Sequence, residues 1–381
     1  MRILHLLDHA AVRPTDYARR TLALLDGLRA QGVQTVHLTA PSALAPSVPD
    51  GWHFYATAPL PHAARLPRAW REAADYAALA LRLRQVARLT RPDLIHVHAP
   101  LAQALAAWPA ARLGRLPLLV EAERRGAATH VLGGLERAAL RRADALATAS
   151  IEQRAALRVA LRNEGVGGRR IAVLPAAADL PGLVRHCPGP AGLEGAPLLA
   201  CAGSLDATGG IDLLLDALAT LRRTRPALRL VVAGGGARLD ALCERVAAGS
   251  LRGHVVFTGT LPGRRAADLL PRADIAVFPA LPGAPGPSRH LLNAMAQGCA
   301  VLASDIDCHR ELLVHGHSGM LFRAGSRASL VEALGGLLDE PLRLGALGAA
   351  AAGFFAARRS WPVTAARYRR LYAEVLADAG R

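Results

Sequence analysis

Residues 274–322 read DIAVFPALPGAPGPSRHLLNAMAQGCAVLASDIDCHRELLVHGHSGMLF. Ile275–Phe278 and Ala300–Ala303 are apolar runs of strand length, and the spacing predicts a helix over 288–297 between them. Pro285, Gly286 and Pro287 mark the loop that opens this helix. Strand, loop, helix and strand in this order form a crossover unit of a parallel sheet.

The same unit repeats on the N-terminal side. Strands are expected at Leu198–Ala202, Leu228–Ala233 and Val255–Thr258, with helices over 210–224, 237–247 and 264–271. Further upstream, DLPGLVRHCPGPAGLEGA (179–196) clusters Pro and Gly without periodicity, the mark of a linker. Before it runs a second alternating series. Strands are expected at 2–7, 35–38, 94–98, 118–121, 145–149 and 171–174, and helices over 16–30 and 70–89. On the latter, Tyr76, Leu79, Leu83 and Val86 share one face. The expectation is α/β: two Rossmann-like, doubly wound parallel-sheet domains. Domain one covers 1–180, a linker 181–196 and domain two 197–355, and an amphipathic helix over 356–381 crosses back to the first. In open sheets of this kind ligands lie beyond the carboxyl ends of the strands, so the site is expected in the cleft between facing domains.

Composition limits the partners. The net charge of +16 is carried by 46 arginines and no lysine; residues 1–180 hold 24 Arg against 14 acidic residues, and residues 181–381 hold 22 against 16. Anionic lipid headgroups or a phosphorylated substrate suit that excess, as does a solvated arginine surface. Nucleic acid does not: aromatics for base stacking are sparse and no reader motif is present. Five scattered cysteines without a C-x-x-C pair fit a reducing cytosol better than a disulfide framework. MRILHLLDHA reads as a buried strand rather than a signal peptide, and no window of about 20 residues is apolar enough to span a bilayer. The expected location is cytoplasmic, with any membrane contact peripheral at the inner face.

Segments along nearly the whole chain resemble family 4 glycosyltransferases of the GT-B fold: PALRLVVAGGG, HVVFTGTL, RADIAVFP, NAMAQGCAVLASD and RELLVHGHSGMLF in the second half. In the first half MRILHLLDH, Tyr17-x-x-Arg20-Thr21, TVHLTAPS, DGWHFY and RPDLIHVHAP are similar to the exosortase-associated glycosyltransferases of exopolysaccharide clusters. The resemblance implies transfer of a sugar from a nucleotide-diphosphate sugar, with retention, to a lipid-linked or oligosaccharide acceptor, and no metal cofactor. The donor-binding positions it implies are Gly203, Ser204, Gly259, Pro285, Gly286, Ser288, Arg289, Asn293 and Glu311; the catalytic candidates are Glu123, His98 and Arg289.

Several of these depart from the family pattern. Without a metal, the leaving diphosphate is stabilised by cations and by amides at a helix start. The family's Arg and Lys after the first strand of domain two are Ser204 and Gly209 here, and its two glutamates are Pro285 and Asn293. Arg289, where relatives carry an apolar residue, either replaces part of the lost charge as a bidentate fork or points to solvent. Asn293 either retains ribose recognition through its amide or is a neutral helix residue. Glu123 either touches sugar hydroxyls or pairs with Arg124 at the surface. Asp16 replaces a glycine that brings backbone close to the donor in relatives. His96 and His98 share a strand face but have no third ligand within motif distance, so no metal is expected there. The competing reading is a catalytically inactive scaffold of the same fold. A dinucleotide oxidoreductase is excluded, because the third glycine after Gly234-Gly235-Gly236 is replaced by Leu239.

Overall fold

The structure is a computed structural model. It describes residues 1–8, 16–40, 51–58, 67–98, 103–122, 134–163, 168–175, 177, 197–261, 269–284 and 289–380; the side chains of 16–19, 68 and 69 lie outside the description. So do the expected linker 181–196 and most of the helix expected over 264–271. The chain divides into two compact units, Met1–Ala176 with Trp361–Arg381, and Ala177–Ser360.

The first unit holds a parallel sheet of β1 (Arg2–Leu7), β2 (Gln34–Thr39), β3 (Tyr55–Ala56), β4 (Leu94–Val97), β5 (Leu118–Glu121), β6 (Ala145–Thr148) and β7 (Arg170–Val173), in the order β3-β2-β1-β4-β5-β6-β7. Its helices are α1 (Asp16–Ala30), α2 (Arg68–Thr90), α3 (Gln103–Gly114), α4 (Gly134–Arg142) and α5 (Ile151–Asn163). The second unit repeats the plan with β8 (Leu198–Ala202), β9 (Arg229–Ala233), β10 (Val255–Gly259), β11 (Ile275–Phe278), β12 (Val301–Ser304) and β13 (Met320–Phe322), ordered β10-β9-β8-β11-β12-β13. Its helices are α6 (Ile211–Leu221), α7 (Leu239–Ala248), α8 (Arg289–Ala296), α9 (Asp307–Arg310), α10 (Arg327–Asp339) and α11 (Pro341–Arg359). In both sheets the winding reverses at the first strand, β1 or β8, which is the doubly wound order.

The strands read as near-continuous apolar runs because both faces are covered. On one face of the first sheet Leu4, Leu6, Leu38, Ile95, Val97, Leu118 and Val120 pack with Leu79, Leu83 and Val86 of α2. On the other, Ile3, Leu7, Leu94 and Leu119 meet Leu24, Leu25 and Leu28 of α1 and Tyr368, Leu371 and Tyr372 of the last helix, α12 (Trp361–Asp378). The sequence starts this returning helix at 356, but α11 runs to Arg359, Ser360 takes an extended backbone (ψ 155°), and α12 opens at Trp361 with Pro362 in its first turn, where a missing N–H costs nothing. Gly27 lets α1 and α12 approach: a Cβ there would lie 2.9 Å from Ala365 Cβ.

An aspartate precedes three strands, and its carboxylate accepts the N–H at the start of a neighbouring strand. Asp93 accepts from Arg2, Asp144 from Leu118 and Asp274 from Leu198, at 2.7–2.8 Å. These satisfy the first N–H groups of β1, β5 and β8, at the ends of the sheets where the ladder begins.

Candidate functional site

In the second unit the loops after β8, β11 and β12 enclose a cavity of about 370 Å³ at the carboxyl ends of the strands. Two glycines make its walls possible. Gly210 has φ 71°, and a Cβ there would fall 1.9 Å from the Pro279 carbonyl oxygen; at Gly234 (φ 151°) it would fall 1.9 Å from that of Gly203. Glycine alone permits both the conformation and the approach.

The loop after β8 is organised by Asp206. Its carboxylate accepts from Ser204 Oγ and from the backbone N–H and Oγ1 of Thr208, each at 2.8 Å. Burial alone would raise this carboxyl; the hydrogen bonds from Thr208, Ser204 and Gly209 outweigh it and hold it below the usual range. Asp206 and Thr208 line the cavity together with Gly203, Ser204 and Gly209. Where the resemblance implies two cations, the loop therefore presents an ionised carboxylate. Across the cavity Arg289, the first residue of α8, lines the wall beside His290. Under the floor, His309 Nδ1 lies 2.9 Å from the Ser304 carbonyl oxygen, so Nδ1 carries the proton, and Ser304 Oγ donates to the Ala280 carbonyl at 2.5 Å. Burial pushes His309 below its usual value, partly offset by that carbonyl, and keeps it neutral at pH 7.

The structure thus brings Gly203, Ser204 and Arg289 to one cavity. Gly259, Asn293 and Glu311 do not line it: Gly259 ends β10 with φ 66°, Asn293 lies one turn into α8, and Glu311 follows α9, its carbonyl accepting from Arg359 at 2.8 Å. Glu123, Pro285, Gly286 and Ser288 fall outside the described residues. Asp206, Thr208 and His309 are lining residues that the family pattern did not single out.

In the first unit His98 stands just past β4, at the carboxyl end of the sheet, in a cluster of buried polar groups. Register places His5 of β1 between His37 of β2 and His96 of β4. His5 Nδ1 is 3.0 Å from His98 Nε2, and His96 Nδ1 is 2.9 Å from the Tyr372 hydroxyl. Glu121, the last residue of β5, approaches His96 Nε2 at 3.4 Å and His98 Nδ1 at 3.2 Å and accepts from the Tyr368 hydroxyl. Burial, then the neighbouring His98, His96 and His37, push His5 well below its usual value; burial, then His98, push His96 to about 4. Burial would raise Glu121, but His98 and the hydrogen bonds from His96 and His98 hold it well below the carboxylate range. An ionised carboxylate in the middle of the histidines results. Glu121, at the end of a strand and in the middle of this cluster, was missed because an acidic residue closing an apolar run looks like any strand end.

Residues 17–177 match the family model of the glycosyl transferase 4-like domain, and residues 196–340 that of glycosyl transferases group 1. The phosphatidyl-myo-inositol mannosyltransferase of Mycolicibacterium smegmatis is 34% identical over 172 residues, 45% of this chain and 43% of that protein. The chain spans less than half the length of the curated relatives it matches. Among solved structures, the sucrose-phosphate synthase of Thermosynechococcus elongatus superposes with a TM-score of 0.72 at 19% identity, covering 99% of this chain and 100% of that one. Anabaena HepE in complex with UDP and glucose gives 0.70 at 17%, covering 98% and 99%. These likenesses establish the fold. The chain thus carries a match to the glycosyl transferase 4-like domain followed by a match to glycosyl transferases group 1, on two parallel sheets of the GT-B fold.

Proposed function

We propose that this chain is a metal-independent hexosyltransferase that moves a sugar from a nucleotide-diphosphate sugar, with retention, to a lipid-linked or oligosaccharide acceptor in exopolysaccharide or other cell-surface glycan synthesis. The observation that carries the reading is Arg289, placed at the start of α8 on the wall of a cavity at the carboxyl ends of β8, β11 and β12. A guanidinium at a helix start is the arrangement that takes up charge on a departing diphosphate. Asn293 is assigned to the ribose and Glu123 to the sugar and acceptor side; both ring nitrogens of His98 already face partners, Glu121 and His5. A relative named for mannosyl transfer to a phosphatidylinositol supports the lipid-linked acceptor, and a neighbour complexed with UDP and glucose supports the donor class.

An acceptor of that kind places the protein at the inner membrane surface. Trp70, Leu81, Arg84 and Arg88 are exposed along one face of α2, an apolar and cationic stripe suited to anionic headgroups. Among the described residues no helix is long and apolar enough to cross a membrane.

Calorimetric titration with UDP, GDP and their sugar conjugates tests the donor site. Saturable binding that Arg289→Ala weakens at least tenfold is expected; no heat with any nucleotide sinks the transferase reading. The second reading, an inactive scaffold of the same fold, is favoured by one observation: Asp206 puts negative charge where a diphosphate needs cations.

A further inference from the structure

The cluster in the first unit fits a ligand that sugar transfer does not call for. His5, His96 and His98 each offer a ring nitrogen within 4.8 Å of the others, and all three residues are buried. Two strands supply them: His5 from β1, and His96 with His98 from β4 and the residue after it. The register pair His5 and His96 fixes the lateral spacing, and the two-residue period of the strand puts His98 on the same face.

The outer nitrogens are oriented as metal-bound imidazoles require. His96 Nδ1 faces the Tyr372 hydroxyl and His98 Nδ1 faces Glu121 Oε2, which makes Nε2 the candidate ligand atom of both rings. His96 Nε2 is fully buried and stands 3.4 Å from Glu121 Oε1. His98 Nε2 stands 3.0 Å from His5 Nδ1. Two ligands on one tetrahedral ion with bonds of about 2.0–2.1 Å lie about 3.3 Å apart. The 3.0 Å between His5 Nδ1 and His98 Nε2 sits close to that value.

We propose that His5, His96 and His98, with Glu121, bind one divalent transition-metal ion of the zinc class. His5 Nδ1, His96 Nε2 and His98 Nε2 are the ligands, a water takes the fourth position, and Glu121 Oε2 and the Tyr372 hydroxyl hold the His98 and His96 rings. Each ring keeps its proton on the nitrogen turned away from the ion. Three imidazole nitrogens suit zinc, cobalt or nickel over calcium or magnesium. The ion ties β1 and β4 together and, through Glu121 and Tyr372, β5 and α12, so its role is to stabilise the first unit rather than to transfer sugar. His98 and Glu121 keep 5% and 13% of their side chains exposed, which places entry at the carboxyl end of the sheet.

The full-length protein, stripped by chelator, is titrated with Co²⁺ and Zn²⁺. One ion per chain is expected, with the intense visible absorption of tetrahedral Co²⁺ and no thiolate charge-transfer band. The unfolding temperature rises on adding Zn²⁺. His98→Gln and His5→Gln abolish the spectrum, and Tyr372→Phe weakens binding about 10- to 100-fold, the usual cost of losing an orienting partner. Cys299→Ser leaves it intact. The wild-type spectrum decides even if a variant fails to fold. Absence of stoichiometric Co²⁺, a weak octahedral spectrum, or thiolate bands overturns the assignment and leaves a metal-free histidine network. Wild-type affinity in folded His98→Gln also overturns it. None of these results bears on nucleotide binding, so this site and the donor site stand or fall separately.

Discussion

Asp206→Asn should tighten binding of nucleoside diphosphates, the reverse of what removing a polar group from a binding site does. Asn is isosteric and keeps an acceptor for the Thr208 N–H, so the loop after β8 should hold its shape. Only the charge is lost. The cavity of about 370 Å³ corresponds to a sphere about 9 Å across, which puts a bound diphosphate on the order of 6–8 Å from the carboxylate. Unit charges at that range repel by about 0.5–0.7 kcal/mol in water and about 2–3 kcal/mol at an effective dielectric constant of about 20. Asp206 is partly exposed, which places the effect near the lower bound, at about 1 kcal/mol or about fivefold in Kd. Replacing charged by neutral hydrogen bonds costs the fold about 1 kcal/mol. Calorimetry with UDP and GDP at two ionic strengths is the assay. The variant should bind about fivefold tighter at low salt, with the advantage shrinking as salt rises. The parent nucleosides, which carry no phosphate, should bind equally to both proteins. An unchanged or weaker Kd for the diphosphates in a folded variant would show that the phosphates do not sit over this loop.

Two further outcomes follow from the same cavity. Gly210→Ala forces a Cβ toward the Pro279 carbonyl at a positive φ, so unfolding in urea should show a loss of several kcal/mol, with nucleotide affinity falling alongside; a loss below about 0.5 kcal/mol contradicts the packing. His309 is buried neutral, so its folded pKa lies below its unfolded one. Above about pH 6.5 it contributes no pH dependence; as pH falls below that value the unfolded chain takes up the proton first, and stability drops by up to about 1.4 kcal/mol per pH unit. His309→Gln should flatten that part of the profile, and equal slopes in the two proteins would remove the assignment.

The fold was legible because its signals are local. Each strand of a two-sided parallel sheet must be apolar on both faces, so β1, β8, β11 and β12 stand out as short apolar runs punctuated by Pro, Gly or Asp. Where the signal is weak, the reading slipped. Apolarity revealed neither edge strand: Tyr55–Ala56 is only two residues long, and Met320–Phe322 is preceded by a glycine-rich turn. The boundary at 356 failed because alanine-rich helix continues smoothly to Arg359; only Ser360 and Pro362 mark the break.

The candidate sites were legible only as far as chain-local spacing reaches. Motif alignment found the loop after β8 and the start of α8, because each is a contiguous stretch, and it registered the missing cations at Ser204 and Gly209. It did not find Asp206, whose meaning depends on Ser204 and Thr208 turning their donors inward around it. The histidine cluster shows the limit more sharply. His96 and His98 were dismissed as metal ligands for want of a third residue nearby in sequence. The third histidine of the proposed site stands 91 residues earlier than His96, and it arrives by strand register: Ile3 opposite Leu94 forces His5 opposite His96. The carboxylate comes from the next strand over, and the hydroxyl that holds His96 comes from a helix at the far end of the chain. A parallel sheet lines up residues that share a depth in the sheet, whatever their separation along the chain. A search of α/β sequences for ligands should therefore pair positions by register along strand ends rather than by spacing within a motif.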